Sequence, residues 1–203
     1  MKKLEHDEYL AMHAGAEILE ADGFGEKVLR LADGTILKLF RRKRLLSSAA
    51  WSPYAQRFAD NAEALHQRHI AAPEIIAVWR IPSIGRDGVH YHPLTGKTLR
   101  EMLREGLDPA IEPGLKRAFT EFVIRLHQAG VYFRSLHLGN VVYMPDQQFG
   151  LIDISDARIG RRSLSKQLRA RNLRRLQEID GEQDWVDFST VMNGALQAPP
   201  RTL

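Results

Sequence analysis

The stretches FRSLHLGNVVYM, residues 133–144, and GLIDISDA, residues 150–157, decide how the rest of the chain is interpreted. Two short apolar runs, NVVYM and FGLID, are separated by a Pro-Asp pair, and this pattern predicts a small β-hairpin. Asn140 stands at the start of the hairpin and Asp153 follows it, 13 residues later. A polar loop, a hairpin and an acidic residue therefore occur together and in this order.

The chain before residue 95 alternates short strand patterns with glycine-containing turns. The runs AEILEA, KVLRL and TILKLF are separated by DGFG and DG, and Asp-Gly between two such runs is a strong hairpin signal. Apolar residues at intervals of three and four then predict an amphipathic helix over about 52–69. Two more strand patterns, EIIAVWRI and GVHYHPL, follow it. Residues 1–94 are thus predicted to form an antiparallel sheet of about five strands with one helix.

Residues 95–203 are predicted to be mostly helical. TLREMLREG has a helical pattern, and a longer run over about 113–128 ends at Gly130. After the hairpin, leucines on one face of a basic segment and then DWVDFSTVMNGAL predict further helices. With 203 residues and 44% hydrophobic composition, the chain can bury one substantial core and divide it between two lobes. The predicted fold class is α+β.

The two opening stretches resemble the catalytic loop and metal-binding segment of protein-kinase-like enzymes. In those enzymes a catalytic aspartate stands five residues before an Mg²⁺-binding asparagine, and a second metal-binding aspartate follows a hairpin. The loop also resembles the HGDLHPGN type of aminoglycoside phosphotransferases and small bacterial lipopolysaccharide kinases, through matches at Leu136, His137, Gly139 and Asn140. Over roughly residues 15–180 the chain resembles the lipopolysaccharide kinase family of Kdo and core-heptose kinases, particularly its short toluene-tolerance-protein-like branch.

This resemblance implies a protein-kinase-like two-lobed fold, with the sheet and helix as N-lobe (1–94) and a reduced helical C-lobe (95–203). It implies ATP with Mg²⁺ as phosphate donor and a sugar hydroxyl of the lipopolysaccharide core as acceptor. Asn140 and Asp153 would hold the metal, and Lys38, in the third predicted strand, would bind the ATP phosphates. Gly23 and Gly25 would let backbone N–H groups approach phosphate, although a Gly-x-Gly pair is ordinarily just a turn.

Two positions depart from the family pattern. Ser135 stands where the catalytic aspartate is expected, and a positioned general base of this kind contributes roughly 10² to 10⁴ in rate. His137 and Asp156 are candidate substitutes for it, or His137 supports the loop and Asp156 caps the following segment. The acidic helix partner of the phosphate-binding lysine is also open, because Asn61 stands at the expected glutamate position and Glu63 lies two residues on.

Charge is distributed unevenly along the chain, whose formal net charge is +4. Eight basic and no acidic residues lie between 158 and 177, so the rest of the chain carries a net charge of −4. This local excess predicts an anionic partner near Arg158–Arg175, either an anionic glycolipid or a phosphorylated sugar, unless the segment is only a solvated helix. No aromatic residue lies between Arg158 and Trp185 to stack on bases, so we expect no nucleic-acid partner.

The kinase-like motifs and the serine at position 135 are compatible with two functions from different classes. The first is a kinase that transfers phosphate from Mg-ATP to a small-molecule or glycolipid hydroxyl. The second is a pseudokinase that binds nucleotide and serves as a regulator or scaffold in envelope stress or solvent tolerance. Because the chain has no cysteine and no apolar run of about 20 residues, we expect a cytoplasmic protein, with peripheral inner-membrane contact as a further option.

Overall fold

The computed structural model describes residues 1–42 and 53–194. Ser52, where the predicted helix over 52–69 begins, and the tail from residue 195 onward lie outside the described residues. The described residues form six helices and eleven strands, and the fold is mixed α+β, as predicted. They divide into two compact units. The first is drawn from Met1–Gln67, Ala72–Leu94 and Asp153–Asp156, and the second from Arg68–Ala71, Thr95–Ile152 and Ala157–Leu203.

The first unit is built on a six-stranded sheet in the order β1-β5-β6-β4-β3-β2. Its strands are β1 (Lys2–Lys3), β2 (Glu17–Asp22), β3 (Gly25–Arg30), β4 (Ile36–Arg41), β5 (Glu74–Ile81) and β6 (Arg86–His92). Neighbouring strands are antiparallel except for β1, which pairs in parallel with β5. Among the described residues of this unit, the helices are α1 (His6–His13) and α2 (Tyr54–His66), and a 3₁₀ turn covers Ile154–Asp156.

The two predicted hairpins and the helix of the first unit are confirmed, but the sheet has one strand more than predicted. Strand β1 contains only two lysines and carries no apolar pattern that the sequence could have revealed. Helix α1 was also missed, because Tyr9 is the one buried residue on it and the helix therefore lacks a continuous apolar stripe.

The two faces of this sheet have different coverings. One face carries the buried cluster of Leu4, Tyr9, Leu29, Leu31, Leu37, Leu39 and Ile81, to which α1 contributes. Helix α2 packs on the other face, where the ring of Phe58 lies 6.4 Å from that of Phe40 and 5.2 Å from that of Tyr91. Because side chains alternate along a strand, Lys38 shares this second face with Phe40. The lysine therefore lies on the α2 side of the sheet.

The described part of the second unit, which ends at residue 194, contains the remaining helices and five short strands. The helices are α3 (Leu99–Glu105), α4 (Glu112–Gln128), α5 (Lys166–Gln177) and α6 (Phe188–Asn193). The strands are β7 (Lys97–Thr98), β8 (Val131–Phe133), β9 (Val141–Tyr143), β10 (Phe149–Leu151) and β11 (Ala157–Ile159). The predicted hairpin is confirmed as β9–β10, with β7 added beside β9, while β8 pairs with β11.

Helix α4 organises the core of the second unit. Its buried Phe119 and Phe122 rings lie 5.9 Å and 5.4 Å from the ring of Phe149 on β10, so the helix packs on the hairpin through aromatic contacts. The helix ends near the predicted position, and Gly130 just beyond it has φ of 76°, a conformation that favours glycine.

A buried polar cluster also lies in the second unit. The Asn172 side chain pairs with both backbone groups of Phe133, donating through Nδ2 to the carbonyl and accepting at Oδ1 from the N–H. The same Oδ1 lies 3.1 Å from Nε2 of the fully buried His127. Because this oxygen can only accept, Nε2 must carry the imidazole proton. The second ring nitrogen, Nδ1, is buried without a hydrogen-bond partner among the described residues.

This arrangement predicts that acid destabilises the fold through His127. Burial lowers the pKa of its imidazole to about 4 from an ordinary value of 6.5, since protonation would add an unpaired buried N–H. Above pH 6.5 the imidazole is neutral in both the folded and the unfolded chain. Below pH 6.5 the unfolded chain binds the proton more readily, so the free energy of unfolding should fall by about 3 kcal/mol as the pH falls towards 4. Urea unfolding between pH 7 and pH 4 measures this loss.

The matched variant for this experiment is His127→Gln, whose side-chain amide can still donate to Asn172 but does not titrate. The free energy of unfolding of the variant should vary less with pH than that of the wild type over this range. Equal pH dependence of the two proteins would show that His127 is not the group responsible.

Candidate functional site

Lys38 and Asp153 form an ion pair within the first unit, although they stand 115 residues apart in the chain. The Lys38 Nζ lies 2.6 Å from Asp153 Oδ1. The lysine side chain is only 14% exposed, and its ammonium lies 5.9 Å from the centroid of the Phe40 ring. The Asp153 side chain is 45% exposed. The cation is therefore largely withdrawn from solvent, while the carboxylate keeps an open side that can accept a further ligand.

The backbone at Asp153 adopts an uncommon conformation. Its φ of 53° lies in the left-handed region, which residues with a Cβ avoid and which aspartate and asparagine tolerate better than most. Within residues 1–42 and 53–194, the other non-glycine residues with positive φ are His69 and Gln147. Such strain persists where surrounding contacts fix it, often at functional sites. The backbone geometry and the ion pair thus point to the same residue.

Helix α2 holds the turn that follows Asp153. The side-chain amide of Asn61 donates through Nδ2 to the carbonyl oxygen of Ile154 at 2.7 Å. Ile154 is fully buried and begins the 3₁₀ turn. A carboxylate at position 61 could not donate this hydrogen bond, so the contact with the Ile154 carbonyl depends on the amide of Asn61. Asn61 is therefore linked to the Asp153 turn, and Glu63 is exposed and accepts a hydrogen bond from Gln67 instead.

Tyr91 is a neighbour of this site that sequence reasoning missed. Burial raises the pKa of its phenol, and the negative charge of Asp153 raises this pKa further, so the hydroxyl stays protonated at neutral pH. The residue pairs with Ile36 across the β4–β6 strand pair and belongs to the α2 face. Its position in the strand alternation was the one available signal, but alternation does not distinguish a site residue from a core residue.

The predicted Gly-x-Gly turn is the tip of the β2–β3 hairpin. Gly25 has φ of 105° and therefore favours glycine, whereas Gly23 has no such constraint and a Cβ there would meet open space. Between them, the exposed Phe24 donates its N–H to the side chain of Asp22, at 2.8 Å. The guanidinium of Arg41 lies 3.6 Å from the Phe24 ring centroid. The structure confirms the turn, and phosphate binding by it stays a prediction.

The loop from Ser135 to Asn140 lies in the second unit. Asn140 is 8% exposed, and its Nδ2 donates to the carbonyl oxygen of Ser135 at 2.9 Å. Its own carbonyl accepts a hydrogen bond of 3.0 Å from the N–H of Ile152. The amide nitrogen of Asn140 therefore closes the loop, and Oδ1, the atom that a metal would use, takes no part in that bond.

A buried carboxylate and an arginine also bind the same loop. Glu182 has a side chain only 2% exposed, and it accepts from Arg100 Nε at 2.7 Å and from the Leu138 N–H at 2.9 Å. Arg100 also donates to His137 Nδ1, at 3.2 Å. A Cβ at Gly139 would lie 2.8 Å from the same guanidinium. The contact made by His137 favours the interpretation that this histidine supports the loop.

Sequence reasoning missed both Arg100 and Glu182. They stand 82 residues apart, and neither lies in a recognisable motif. The structure brings Lys38, Asn61 and the Asp153 turn together within the first unit. Within the second unit it brings together Ser135, His137 and Asn140 with the Arg100–Glu182 pair. Asp156 ends the 3₁₀ turn of the first unit.

The donor set around Asp153 fits a metal that arrives with a nucleotide better than a resident metal. Among the residues that the structure describes, no group of three or more histidine, aspartate or glutamate side chains is arranged to hold a metal ion. Mg²⁺ is typically bound by one or two carboxylates together with substrate phosphates and water. A half-exposed aspartate beside a lysine provides one ligand for such a metal and one cation for the phosphates.

The basic segment is largely exposed. Of its eight basic residues, Arg169 is committed to structure, since it donates to the carbonyl oxygens of Leu164 at 3.0 Å and Val191 at 3.1 Å. The other seven are exposed: Arg158, Arg161, Arg162, Lys166, Arg171, Arg174 and Arg175. No helix in the described part of the chain has the length and apolar character needed to cross a membrane.

A scan against protein-family models finds no match for this chain, and a search of curated proteins finds no significant relative. The resemblance to lipopolysaccharide kinases accordingly rests on the motifs of the sequence.

Replacing Asn61 by aspartate should destabilise the first unit. The variant sets a carboxylate against the carbonyl oxygen of Ile154 and loses the donated hydrogen bond, at a cost of about 1–3 kcal/mol. Asp60→Asn is the matched control, because Asp60 is the preceding residue on α2 and makes a solvent-exposed contact with Gln56. The free energy of unfolding in urea should fall for Asn61→Asp and stay within about 0.5 kcal/mol for the control. Equal stability of both variants would contradict the assignment.

Proposed function

We propose that this protein is a protein-kinase-like phosphotransferase that binds Mg-ATP and transfers phosphate to a sugar hydroxyl of a lipopolysaccharide-core or related small-molecule acceptor. The observation that supports it most directly is the 2.6 Å pair between Lys38 and Asp153. Lys38 would bind phosphate oxygens, and Asp153 would bind Mg²⁺. Mg-ATP thus carries negative phosphates for the Lys38 ammonium and a positive metal ion for the Asp153 carboxylate.

A protein-kinase-like fold is part of the proposal. It is supported by an antiparallel sheet that carries the lysine on the face covered by α2. It is also supported by the bond from Asn61 to the Asp153 turn, which ties that helix to the proposed metal ligand. Asn140 stays a metal ligand predicted from the sequence motif, and its Oδ1, which does not take part in the hydrogen bond to Ser135, is compatible with that role.

The acceptor part of the proposal relies on charge. Seven exposed basic residues between Arg158 and Arg175 would attract a phosphorylated sugar or an anionic glycolipid. The same residues would favour peripheral contact with the anionic cytoplasmic surface of the inner membrane. Loss of the usual aspartate at Ser135 would slow transfer without preventing it, because phosphoryl transfer depends mainly on positioning and electrostatic stabilisation.

A nucleotide-binding pseudokinase is the second candidate, and the loop geometry favours it in one respect. The carbonyl of Ser135 accepts from Asn140, and a serine hydroxyl is not basic at neutral pH. The Nδ1 of His137 accepts from Arg100, which commits this ring nitrogen to a structural contact. In this alternative the protein would bind Mg-ATP without transferring phosphate and would act as a regulator or scaffold.

Thermal unfolding with and without Mg-ATP tests nucleotide binding. At a ligand concentration of about 100 times Kd, the wild type should gain about 2.7 kcal/mol and its Tm should rise by roughly 5–10 °C. Asp153→Asn keeps the shape of the side chain and suits the left-handed backbone, but it should lose the Mg²⁺-dependent part of the rise. Lys38→Met should lose most of the rise with ATP.

The control for this experiment is Asp60→Asn, which removes an exposed carboxylate of the same unit and should shift like the wild type. If wild type and Asp153→Asn gain the same Tm from Mg-ATP, Asp153 is not a metal ligand. If the wild type gains nothing, the proposed nucleotide site is wrong.

Ser135→Asp separates the two candidate functions. If the protein is a phosphotransferase, restoring the base should raise ATP turnover by roughly 10² to 10⁴. The rate is measured as ADP release with phosphorylated sugars as acceptors, and Ser135→Asn serves as the uncharged control. A Ser135→Asp protein that binds Mg-ATP but remains as inactive as Ser135→Asn would contradict phosphate transfer and favour the pseudokinase.

A further inference from the structure

The β2–β3 hairpin contains a β-bulge at Lys27. Glu20 of β2 pairs with Val28 of β3, whereas the next residue of β2, Ala21, pairs with Glu26. Lys27 is therefore the extra residue of β3 and has no partner in the β2 register. A bulge of this kind interrupts the strict alternation of a strand and redirects a side chain.

The bulge places Lys27 on the same face of the sheet as Lys38. Side chains of directly paired residues project from one face, and Val28 pairs with Glu20 on one side and with Lys38 on the other. The ammonium of Lys27 forms an ion pair with the carboxylate of Glu20. Lys27 consequently reaches the face that carries the proposed phosphate-binding lysine.

The residue before the bulge points the opposite way. The carboxylate of Glu26 lies 2.9 Å from Nε2 of His13, on the face that α1 covers. With strict alternation, Lys27 and Val28 would project from different faces of the sheet, and Lys27 would lie on the same face as His13. The pKa of Lys27 is raised, mainly by its hydrogen bond to Glu20, and the negative charge of Asp153 adds to this effect. Lys27 is thus within electrostatic reach of the candidate site.

We propose that Lys27 is a second phosphate-binding cation of the nucleotide site, and that Glu20 is its counter-ion when phosphate is not bound. This inference rests on the proposed function, because Lys38 and Asp153 define the site. The side chains of Lys27 and Glu20 are 36% and 49% exposed, so their ion pair is weak and can be exchanged. A triphosphate carries more negative charge than one carboxylate and would compete successfully for the ammonium.

The same hairpin provides a matched control pair. Arg30 and Glu17 form a cross-strand ion pair of 3.0 Å at the far end of β3, with side chains 53% and 62% exposed. This pair resembles Lys27 and Glu20 in charge, strand positions and solvent exposure, but the register contains no bulge at Arg30. Changes at Arg30 and Glu17 therefore report any general effect of removing a charge from the hairpin.

The experiment measures Kd for ATP, ADP and adenosine with Mg²⁺ by titration calorimetry. Lys27→Ala should weaken ATP and ADP binding by about threefold to tenfold and leave adenosine binding unchanged, and Lys27→Arg should retain most of the affinity. Glu20→Gln should strengthen ATP binding by about twofold to fivefold, since it removes the competing carboxylate. Arg30→Ala and Glu17→Gln should bind all three ligands like the wild type.

Two outcomes would overturn the role of Lys27 while leaving the nucleotide site intact. One is a wild type that binds Mg-ATP together with a Lys27→Ala variant that binds it as well as Arg30→Ala does. The other is an equal loss of ATP and adenosine affinity in Lys27→Ala, which would indicate a structural effect. A wild type that binds no Mg-ATP would instead refute the proposed function, and with it the role of Lys27.

Discussion

The ion pair between Lys38 and Asp153 is the constraint on which the first unit's candidate site depends. It joins strand β4 to the segment Asp153–Asp156, which lies 115 residues further along the chain. A largely buried ammonium without a partner would be strongly destabilising, so the lysine requires the carboxylate to remain close. The carboxylate in turn sits on a backbone that is strained for a residue with a Cβ. The pair and the strained turn are therefore maintained together.

The two faces of the sheet have different roles around the Lys38–Asp153 pair. Leucines on one face form a cluster with α1, which anchors the strands and leaves the other face to α2. On that second face, α2 packs against Phe40 through Phe58 and reaches the Asp153 turn through Asn61. One helix thus supplies both apolar packing and a hydrogen bond to the Asp153 turn. The consequence is that position 61 needs an amide donor rather than the acid that the sequence pattern suggested.

Local signals in the sequence were sufficient for much of the fold and for part of the site. Asp-Gly turns and alternation predicted β2 to β4, and helical periodicity predicted α2 and α4. Contacts between distant residues had no such signal. His127 meets Asn172 across 45 residues, and Glu182 meets the Leu138 N–H across 44. The partner of Lys38 was sought on the helix, because the motif gives residue types and order but does not specify which charges meet.

Contacts to backbone atoms hold the loop that contains Ser135. Asn140 binds the carbonyl of Ser135, and Glu182 binds the N–H of Leu138. Arg100 links Glu182 to the ring of His137 and lies against Gly139, where a larger residue would displace it. An aspartate at position 135 would leave each of these contacts available. Since these contacts do not use the side chain at position 135, they are physically separable from a general base there, and a chain can lose the base while keeping them.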